Sequence, residues 1–178
     1  MTTVICPGTN TVAEMMTEEE EAARENEAAG LVLAMGQEIV FCETVRMSAI
    51  VPKSFFGKGT LERLRTACEE KGAELLVVDM PVSAVQQRNL EKMLNMKVID
   101  RTAVILEIFG QRAQTREGKL QVELAHLTYQ RGRLVRSWTH LERQRGGGGL
   151  LGGPGETQIE LDRRHLDERI VKIKKELE

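Results

Sequence analysis

The stretch that separates two predicted helices is Arg143-Gln-Arg-Gly-Gly-Gly-Gly-Leu-Leu-Gly-Gly-Pro-Gly-Glu-Thr-Gln158. Seven of its residues are glycine. Each glycine in a helix interior costs roughly 0.5–1 kcal/mol relative to alanine, so neither a regular helix nor a regular strand is expected at this density. The stretch therefore predicts a loop. Downstream, Thr157 and Glu160 have the spacing of a capping box that opens the next helix.

Apolar side chains at helical spacing lie on both sides of this loop. The upstream stripe comprises Leu120, Leu124, Leu127, Leu134 and Trp138, and the downstream stripe comprises Ile159, Leu166, Ile170, Ile173 and Leu177. Two such helices joined by one loop predict an antiparallel hairpin that resembles a two-stranded coiled coil. We assign residues 101–178 to this hairpin, with its Gly-rich tip at about residues 144–156.

The tip has two interpretations. A flexible linker is one, although linkers of this kind usually contain serine and lie between domains. A binding loop is the other, because Arg143 and Arg145 precede the glycines and Arg163 and Arg164 follow them. A segment with so few side chains can also enter a narrow space. The composition leaves both interpretations open.

The first hundred residues predict an α/β domain. Short apolar runs at 4–6, 39–45, 75–78 and 98–99 predict four strands, and helical patterns separate them. Thr17 and Ser83 begin two capping boxes, and Thr60 is the predicted cap of the helix between them. In the helix after Ser83, we expect Val85, Leu90, Met93 and Leu94 to face inward. This alternation predicts a small, mostly parallel four-stranded sheet with flanking helices.

Charge is distributed unevenly along the chain. The formal net charge of the 178 residues is −2, which by itself predicts no nucleic-acid partner. Residues 1–35 are acidic by six charges, however, and residues 101–145 are basic by five. This asymmetry favours a polyanionic partner for the second half, and a solvated helix face is the alternative.

Familiar catalytic and metal-binding patterns are missing from the sequence. Residues 52–60 resemble a P-loop, but Pro52 replaces the first glycine and Gly59 replaces the required Ser or Thr. The three histidines and three cysteines lack ligand spacing, so we predict no metal and buried cysteines in a reducing cytoplasm. Asp79 and Asp100 follow predicted strands, where they either line a ligand site or cap the next segment. No apolar run spans a membrane.

Several segments resemble the HflX family of ribosome-associated GTPases. The similar segments are Gly152–Arg164, Asp100–Ala113, Glu117–Ala125, Trp138–Arg145 and Gln86–Glu91. They occur in the family's order and cover the chain from about Ile39 to Arg164. The family's order is an α/β N-terminal domain, a helical hairpin, a GTPase domain and a C-terminal piece, and this chain is similar to the first two.

The resemblance implies a function. The family binds the large ribosomal subunit, its hairpin loop reaches towards the peptidyl transferase centre, and the full protein splits stalled ribosomes under stress. It also implies GTP and magnesium in the GTPase domain and contact with that domain. Because these residues carry no P-loop, we expect no GTP hydrolysis by them, and we expect a monomer. The residues expected to contact rRNA are Arg143, Arg145, Gly146, Gly147, Gly148, Gly149, Leu150, Leu151, Gly152, Gly153, Arg163 and Arg164.

Two other functions remain open. One is a regulatory domain that controls the adjoining GTPase domain. The other is a separate ATP-binding α/β domain, because an ATP-binding activity is associated with the family's N-terminal region. If the domain binds ATP, we expect the ligand near Pro7, Gly8 and Asp79.

Overall fold

The computed structural model describes residues 2–9, 17–144 and 154–177. Its elements in chain order are β1 (Thr2–Thr9), α1 (Glu18–Ala34), β2 (Ile39–Met47), α2 (Lys58–Glu70), β3 (Leu75–Val78), α3 (Ala84–Leu94), β4 (Lys97–Asp100), α4 (Arg101–Arg112), α5 (Arg116–Gln144) and α6 (Pro154–Leu177). The chain forms two compact units, Met1–Ile108 and Phe109–Glu178, and the division falls within α4. The proposed boundary after residue 100 stays a prediction.

The first unit contains a small parallel sheet with the strand order β2-β1-β3-β4. The α/β class predicted from the sequence is therefore confirmed. Since β1 is flanked by β2 on one side and β3 on the other, the chain changes direction across the sheet between β1 and β3. Ligands of open α/β sheets bind outside the carboxyl ends of the strands at such a point.

Alternate residues of β3 face opposite sides of this sheet, as strand geometry requires. Leu76 and Val78 lie in one buried cluster, whose helical members come from α2 and α3. Val77 lies in a second buried cluster with residues of α1 and α4. The helices therefore cover both faces, and the continuous apolar run at 75–78 is explained by burial on both sides.

Two predicted capping boxes are present. The Thr17 hydroxyl accepts from the Glu20 amide at 3.2 Å, and the Glu20 carboxylate accepts from the Thr17 amide at 2.8 Å. Ser83 and Gln86 make the equivalent pair of bonds at the start of α3. These reciprocal bonds satisfy amides that the first turn of a helix leaves without partners.

The prediction that Thr60 caps helix α2 is wrong. Helix α2 begins at Lys58. Its N-cap residue is Gly57, which has no side chain that could make a capping hydrogen bond. Phe55 and Phe56 are 1% and 0% exposed, so their burial brings the chain to the start of α2 earlier than the polar pattern indicates. Phe55 also has a φ of 65°, which is strained for a bulky side chain.

Two further expectations need correction. Met93 is 41% exposed on α3, whereas Leu90 and Leu94 are buried as predicted. Helix α6 begins at Pro154, three residues before Thr157, so Thr157 does not cap it. Proline suits a first helical position because its fixed φ is helical and its missing N–H would have had no partner there.

Candidate nucleic-acid interface

Helices α5 and α6 run antiparallel along the part that their ion pairs join. Those pairs are Arg116–Glu176 at 3.9 Å, Glu123–Arg169 at 2.7 Å and Arg131–Asp167 at 3.2 Å. The residue number rises along α5 as its partner's number falls along α6, which fixes the relative direction. Ile170 and Ile173 of the predicted apolar stripe are buried. The segment that connects the helices, residues 145–153, lies outside the described residues.

The two units differ in the sign of their charge. Residues 109–178 contain fourteen Lys and Arg against ten Asp and Glu, a net charge of +4. Residues 1–108 contain eleven basic and seventeen acidic residues, a net charge of −6. The positive net charge that favours binding of a polyanion is therefore found in the second unit.

Guanidinium groups lie on both helices of the second unit. Arg163 and Arg164 are exposed on α6, and the Arg163 group is 3.8 Å from Asp167, one helical turn away. On α5, the Arg133 guanidinium lies over the Tyr129 ring at 4.9 Å from its centroid and donates to the Tyr129 hydroxyl. Such groups can form charge-assisted hydrogen bonds with phosphate oxygens.

A second cluster of charged groups lies at the carboxyl edge of the sheet in the first unit. Asp79, directly after β3, is 3% exposed. Arg24 of α1 donates through Nε to Asp79 Oδ2 and through Nη2 to the Asp79 carbonyl, both at 3.0 Å. Arg101 of α4 donates through Nη1 to Asp79 Oδ1 at 2.7 Å. One buried carboxylate thus ties two helices to the end of one strand.

Arg101 also has an exposed partner. Its Nη2 donates to Oε1 of Glu27, whose side chain is 59% exposed. The hydrogen bond to Glu27, followed by that to Asp79, raises the pKa of Arg101 above its ordinary value. An open pocket lies beside this network. Its lining residues are Glu20, Ala23, Arg24, Glu27, Asp79, Met80, Pro81 and Arg101.

Asp100, the second acidic residue at this edge, has a capping role. Its Oδ1 accepts from the Ala103 amide at 2.9 Å, in the first turn of α4, and its Oδ2 accepts from the Val82 amide at 3.2 Å. It is 3% exposed and is not among the residues that line the pocket. Of the two alternatives for Asp100, the structure therefore favours the cap.

Comparison with known proteins assigns the two units. Residues 22–110 match the family model described as GTP-binding GTPase N-terminal, and residues 112–178 match the model described as GTP-binding GTPase Middle Region. GTPase HflX of Magnetococcus marinus is 55% identical over 153 residues, which cover 86% of this chain and 35% of that protein. GTPase HflX of Escherichia coli is 48% identical over 162 residues, which cover 91% of this chain and 38% of that protein.

The chain belongs to the HflX family of GTPases, of which it represents an N-terminal portion. It spans little more than a third of the length of these two relatives. The resemblance deduced from the sequence motifs is thereby confirmed.

Solved structures support the fold of this HflX portion. A GTP-binding protein from Sulfolobus solfataricus in complex with GDP matches 99% of this chain, and the match covers 45% of that protein, with a TM-score of 0.64 and 20% identity. A structure described as the SsGBP and GDP complex gives a TM-score of 0.67, also at 20% identity, over 99% of this chain and 43% of that protein.

The structure describes only some of the residues that are predicted to contact rRNA. Arg163 and Arg164 lie on α6. Arg143 lies in α5, where the structure describes its backbone and not its side chain. Arg145 and residues 146–153 are not described. The rRNA role of all these residues stays a prediction.

Asp79 could be singled out from the sequence, but its partners could not. Arg24 and Arg101 come from helices 77 residues apart in the sequence, so no local spacing links them. One available signal was the position of Arg101 directly after the strand that ends with Asp100. Within the described residues, no group of His, Cys, Asp or Glu could hold a metal ion, and no described helix has the length and apolarity needed to cross a bilayer.

Proposed function

We propose that this HflX portion binds the large ribosomal subunit and that its Gly-rich segment contacts rRNA. In the full protein, this binding would help to split or rescue stalled ribosomes. The observation that carries the proposal is the charge of the second unit, +4 beside −6 in the first, in a chain of this family. Phosphate backbones bind basic surfaces through release of counterions, which makes the affinity depend on salt.

The helix pair would act as a stalk in this proposal. The 29 residues of α5 correspond to a rise of roughly 40 Å at about 1.5 Å per residue. Because α6 returns antiparallel to α5, the Gly-rich segment would form the tip of a coiled-coil-like hairpin. Residues 146–149 and 152–153 would let the backbone approach RNA closely, Leu150 and Leu151 would pack against bases or sugars, and the flanking arginines would neutralise phosphates.

We also propose that GTP is hydrolysed by a part of the full protein other than these 178 residues. The sequence lacks the G-x-x-x-x-G-K-[ST] pattern that cradles nucleotide phosphates and holds magnesium. The GTPases that this chain is similar to extend well beyond the matched region. We therefore assign GTP and magnesium to a GTPase domain of the full, cytoplasmic protein, with this portion as its ribosome-binding partner.

Co-sedimentation with purified large subunits tests the rRNA contact. We expect the double variant Arg143→Glu with Arg145→Glu to abolish co-sedimentation of the chain. Arg88→Glu with Lys92→Glu is the matched control, because it makes the same change in net charge on the exposed face of α3. Binding that survives the first pair, or is lost equally with the second, contradicts the proposed contact.

Regulation of the GTPase domain is a second candidate, favoured by apolar side chains on the surface of α6. Leu161 is 38% exposed and Val171 is 52% exposed. A protein domain that packs along α6 would bury these two side chains. Adding the chain to an isolated GTPase domain should change its rate of hydrolysis, and Val171→Asp should remove that change. A rate unaffected by the chain contradicts this role.

A separate ATP-binding function is the remaining alternative. The pocket beside Asp79 favours it, since it lies at the sheet edge where ligands of this fold class bind. Calorimetric titration of the chain with ATP tests it directly, and the absence of heat at millimolar ATP would dismiss it.

A further inference from the structure

A short turn between β2 and α2 is held in one conformation. Val51 and Phe55 exchange both of their backbone hydrogen bonds, at 2.9 and 2.8 Å, so residues 51–55 close on themselves. Phe55 lies in the left-handed region, with a φ of 65°, which a bulky residue keeps only where its surroundings impose it. Burial imposes it here, because the rings of Phe55 and Phe56 pack edge to face in the core of the first unit.

Helix α3 holds the turn from a second side. Asn89 Nδ2 donates to the Lys53 carbonyl at 2.7 Å, and Gln86 Nε2 donates to the Val51 carbonyl at 3.2 Å. These two bonds place the tip of the turn beside the exposed side chains of α3. Because the backbone of the turn is already fixed, its tip would lose little conformational entropy when a partner binds.

Three exposed cations lie where the turn meets α3. Lys53 is at the tip of the turn, and Arg88 and Lys92 are one helical turn apart on α3. Within the residues that the structure describes, none of the three has an ion-pair partner. The other arginines of the first unit each pair with a carboxylate, and these are Arg24, Arg46, Arg63, Arg65 and Arg101. The positive charge of this region is therefore available to a partner.

The carboxylate of α3 is engaged elsewhere. Glu91 is the acidic residue of this helix, and its Oε1 accepts from Gln87 Nε2 at 3.2 Å and from the Val98 amide of β4 at 3.3 Å. These bonds direct Glu91 towards β4. An anionic partner of Arg88 would thus not need to displace it.

Two exposed apolar side chains lie among these cations. Ile50, directly before the turn, is 44% exposed. Met93 is 41% exposed and lies one helical turn after Asn89, which holds the turn. We call this region the α3 surface, and its residues are Ile50, Lys53, Arg88, Lys92 and Met93.

The charge of the whole unit distinguishes between two classes of anionic partner. The first unit has a net charge of −6, so a long polyanion such as RNA meets repulsion from most of it. A short acidic segment responds only to charges within roughly 8 Å, the Debye length at physiological salt. The apolar side chains also favour a protein, because they are buried by apolar groups of the partner.

We propose that the α3 surface binds an acidic segment of a partner protein, one that also carries an apolar side chain. Carboxylates of the segment bind Arg88, Lys92 and Lys53, and its apolar side chain packs against Met93 and Ile50. Charge complementarity of this kind supplies specificity and speeds association. The inference goes beyond the rRNA contact and does not depend on it.

Fluorescence anisotropy tests the α3 surface with a labelled peptide, Glu-Glu-Leu-Glu-Glu-Phe-Glu-Glu, titrated with the 178-residue chain at low salt. Arg88→Glu with Lys92→Glu should weaken binding at least about tenfold, because it places like charges opposite the peptide. Arg65→Glu with Lys71→Glu is the matched control. It makes the same change in net charge at exposed sites on and after α2, and should weaken binding no more than about twofold.

The apolar part of the surface has its own pair of variants. Met93→Ala should weaken binding about two- to fivefold through lost burial against the peptide. Leu33→Ala removes an apolar side chain that is 59% exposed on α1, outside the α3 surface, and should leave the affinity unchanged. Equal affinities for these two variants would overturn the apolar contact.

A thermal melt establishes that each variant is folded, and Lys53→Glu replaces the α3 pair if that pair is not. A single-stranded oligouridine is the comparison ligand. The inference is overturned if wild type does not bind the peptide at about 1 mM chain, if the two charge-reversal pairs weaken binding equally, or if oligouridine binds more tightly than the peptide and depends on Arg88 and Lys92. Ribosome co-sedimentation is a separate measurement, so failure here leaves the ribosome proposal standing.

Discussion

Met1–Ile108 buries two clusters of apolar side chains, one on each face of its sheet. In Phe109–Glu178 the buried apolar residues, among the side chains described, are Ile170 and Ile173, and the helices are joined by exposed ion pairs. Among the side chains that the structure describes, the first unit is stabilised mainly by burial, whereas the second has few fully buried apolar groups and several solvent-exposed ion pairs. Burial resists salt, whereas exposed ion pairs are screened by it.

The largest effect is expected in the core of the first unit. Leu90 is 0% exposed in the cluster beneath α3, and Leu90→Ala should lower the free energy of unfolding by about 2–5 kcal/mol through lost burial and the cavity left behind. Leu33→Ala, at a site 59% exposed, is the control and should change it by less than about 0.5 kcal/mol. Urea denaturation followed by hydrogen exchange of residues 17–108 measures both. Equal effects would show that this core is not what stabilises the unit.

The next effect compares two aspartates. Asp79→Asn leaves two guanidinium groups without their buried carboxylate and should cost about 1–3 kcal/mol, less than a fully buried pair because Arg24 and Arg101 are 28% and 30% exposed. Asp167→Asn removes an exposed partner of Arg131 in the helix pair and should cost no more than about 1 kcal/mol. Thermal unfolding of both variants, side by side, gives the ratio. A larger loss for Asp167 would reverse the comparison.

A gain of stability is expected at Thr44. Its hydroxyl oxygen is buried and, within the described structure, accepts and donates no hydrogen bond. Thr44→Val removes this unsatisfied group with little change of shape and should stabilise the first unit by about 0.5–1 kcal/mol. Thr66→Val is the control, since the Thr66 hydroxyl donates to the Glu62 carbonyl on the surface of α2. A destabilised Thr44→Val would contradict the description of this hydroxyl as an unsatisfied buried group.

Salt should separate the two units. Glu123→Gln breaks the 2.7 Å pair with Arg169 and should cost the helix pair about 0.2–1 kcal/mol at low salt, and close to nothing at about 1 M salt. The only tryptophan and the only tyrosine of the chain, Trp138 and Tyr129, both belong to the second unit, so their fluorescence reports on that unit alone. An effect that persists at high salt would indicate packing.

The smallest expected effect depends on pH. The hydrogen bond from Arg46 lowers the pKa of Glu21 below its ordinary value of 4.5. Its stabilising contribution is therefore complete above the unfolded pKa and is lost as the pH falls through the lower, folded value. Glu21→Gln should make the melting temperature of the first unit slightly less sensitive to acid. The Glu19→Gln variant should keep the wild-type profile, and identical profiles for all three chains would contradict the assignment.

Local patterns predicted most of the first unit. The caps at Thr17 and Ser83 and the buried run at 75–78 depend on residues that are close in sequence, so the pattern contains the information. Thr60 failed because burial of Phe55 and Phe56 decided where α2 begins. Thr157 failed because Pro154 can itself open a helix.

The candidate sites were predictable to different degrees. The basic character of the helix pair follows from composition, and Arg163 and Arg164 are exposed as a contact with RNA requires. The ion-pair network around Asp79 could not be read from the sequence, because folding brings Arg24, Asp79 and Arg101 together from three separate parts of the chain. Sequence spacing reports neighbours on one element, and the sheet topology decides which elements meet.

The most direct test of the account is co-sedimentation of the chain with large ribosomal subunits over a range of salt, for wild type and for a deletion of residues 146–155. The deletion keeps Arg143, Arg145, Arg163 and Arg164, so the slope of affinity against salt should change little. The affinity itself should fall at every salt concentration, because the segment that approaches the RNA is gone. A deletion variant that binds as tightly as wild type would contradict the claim that this segment touches rRNA.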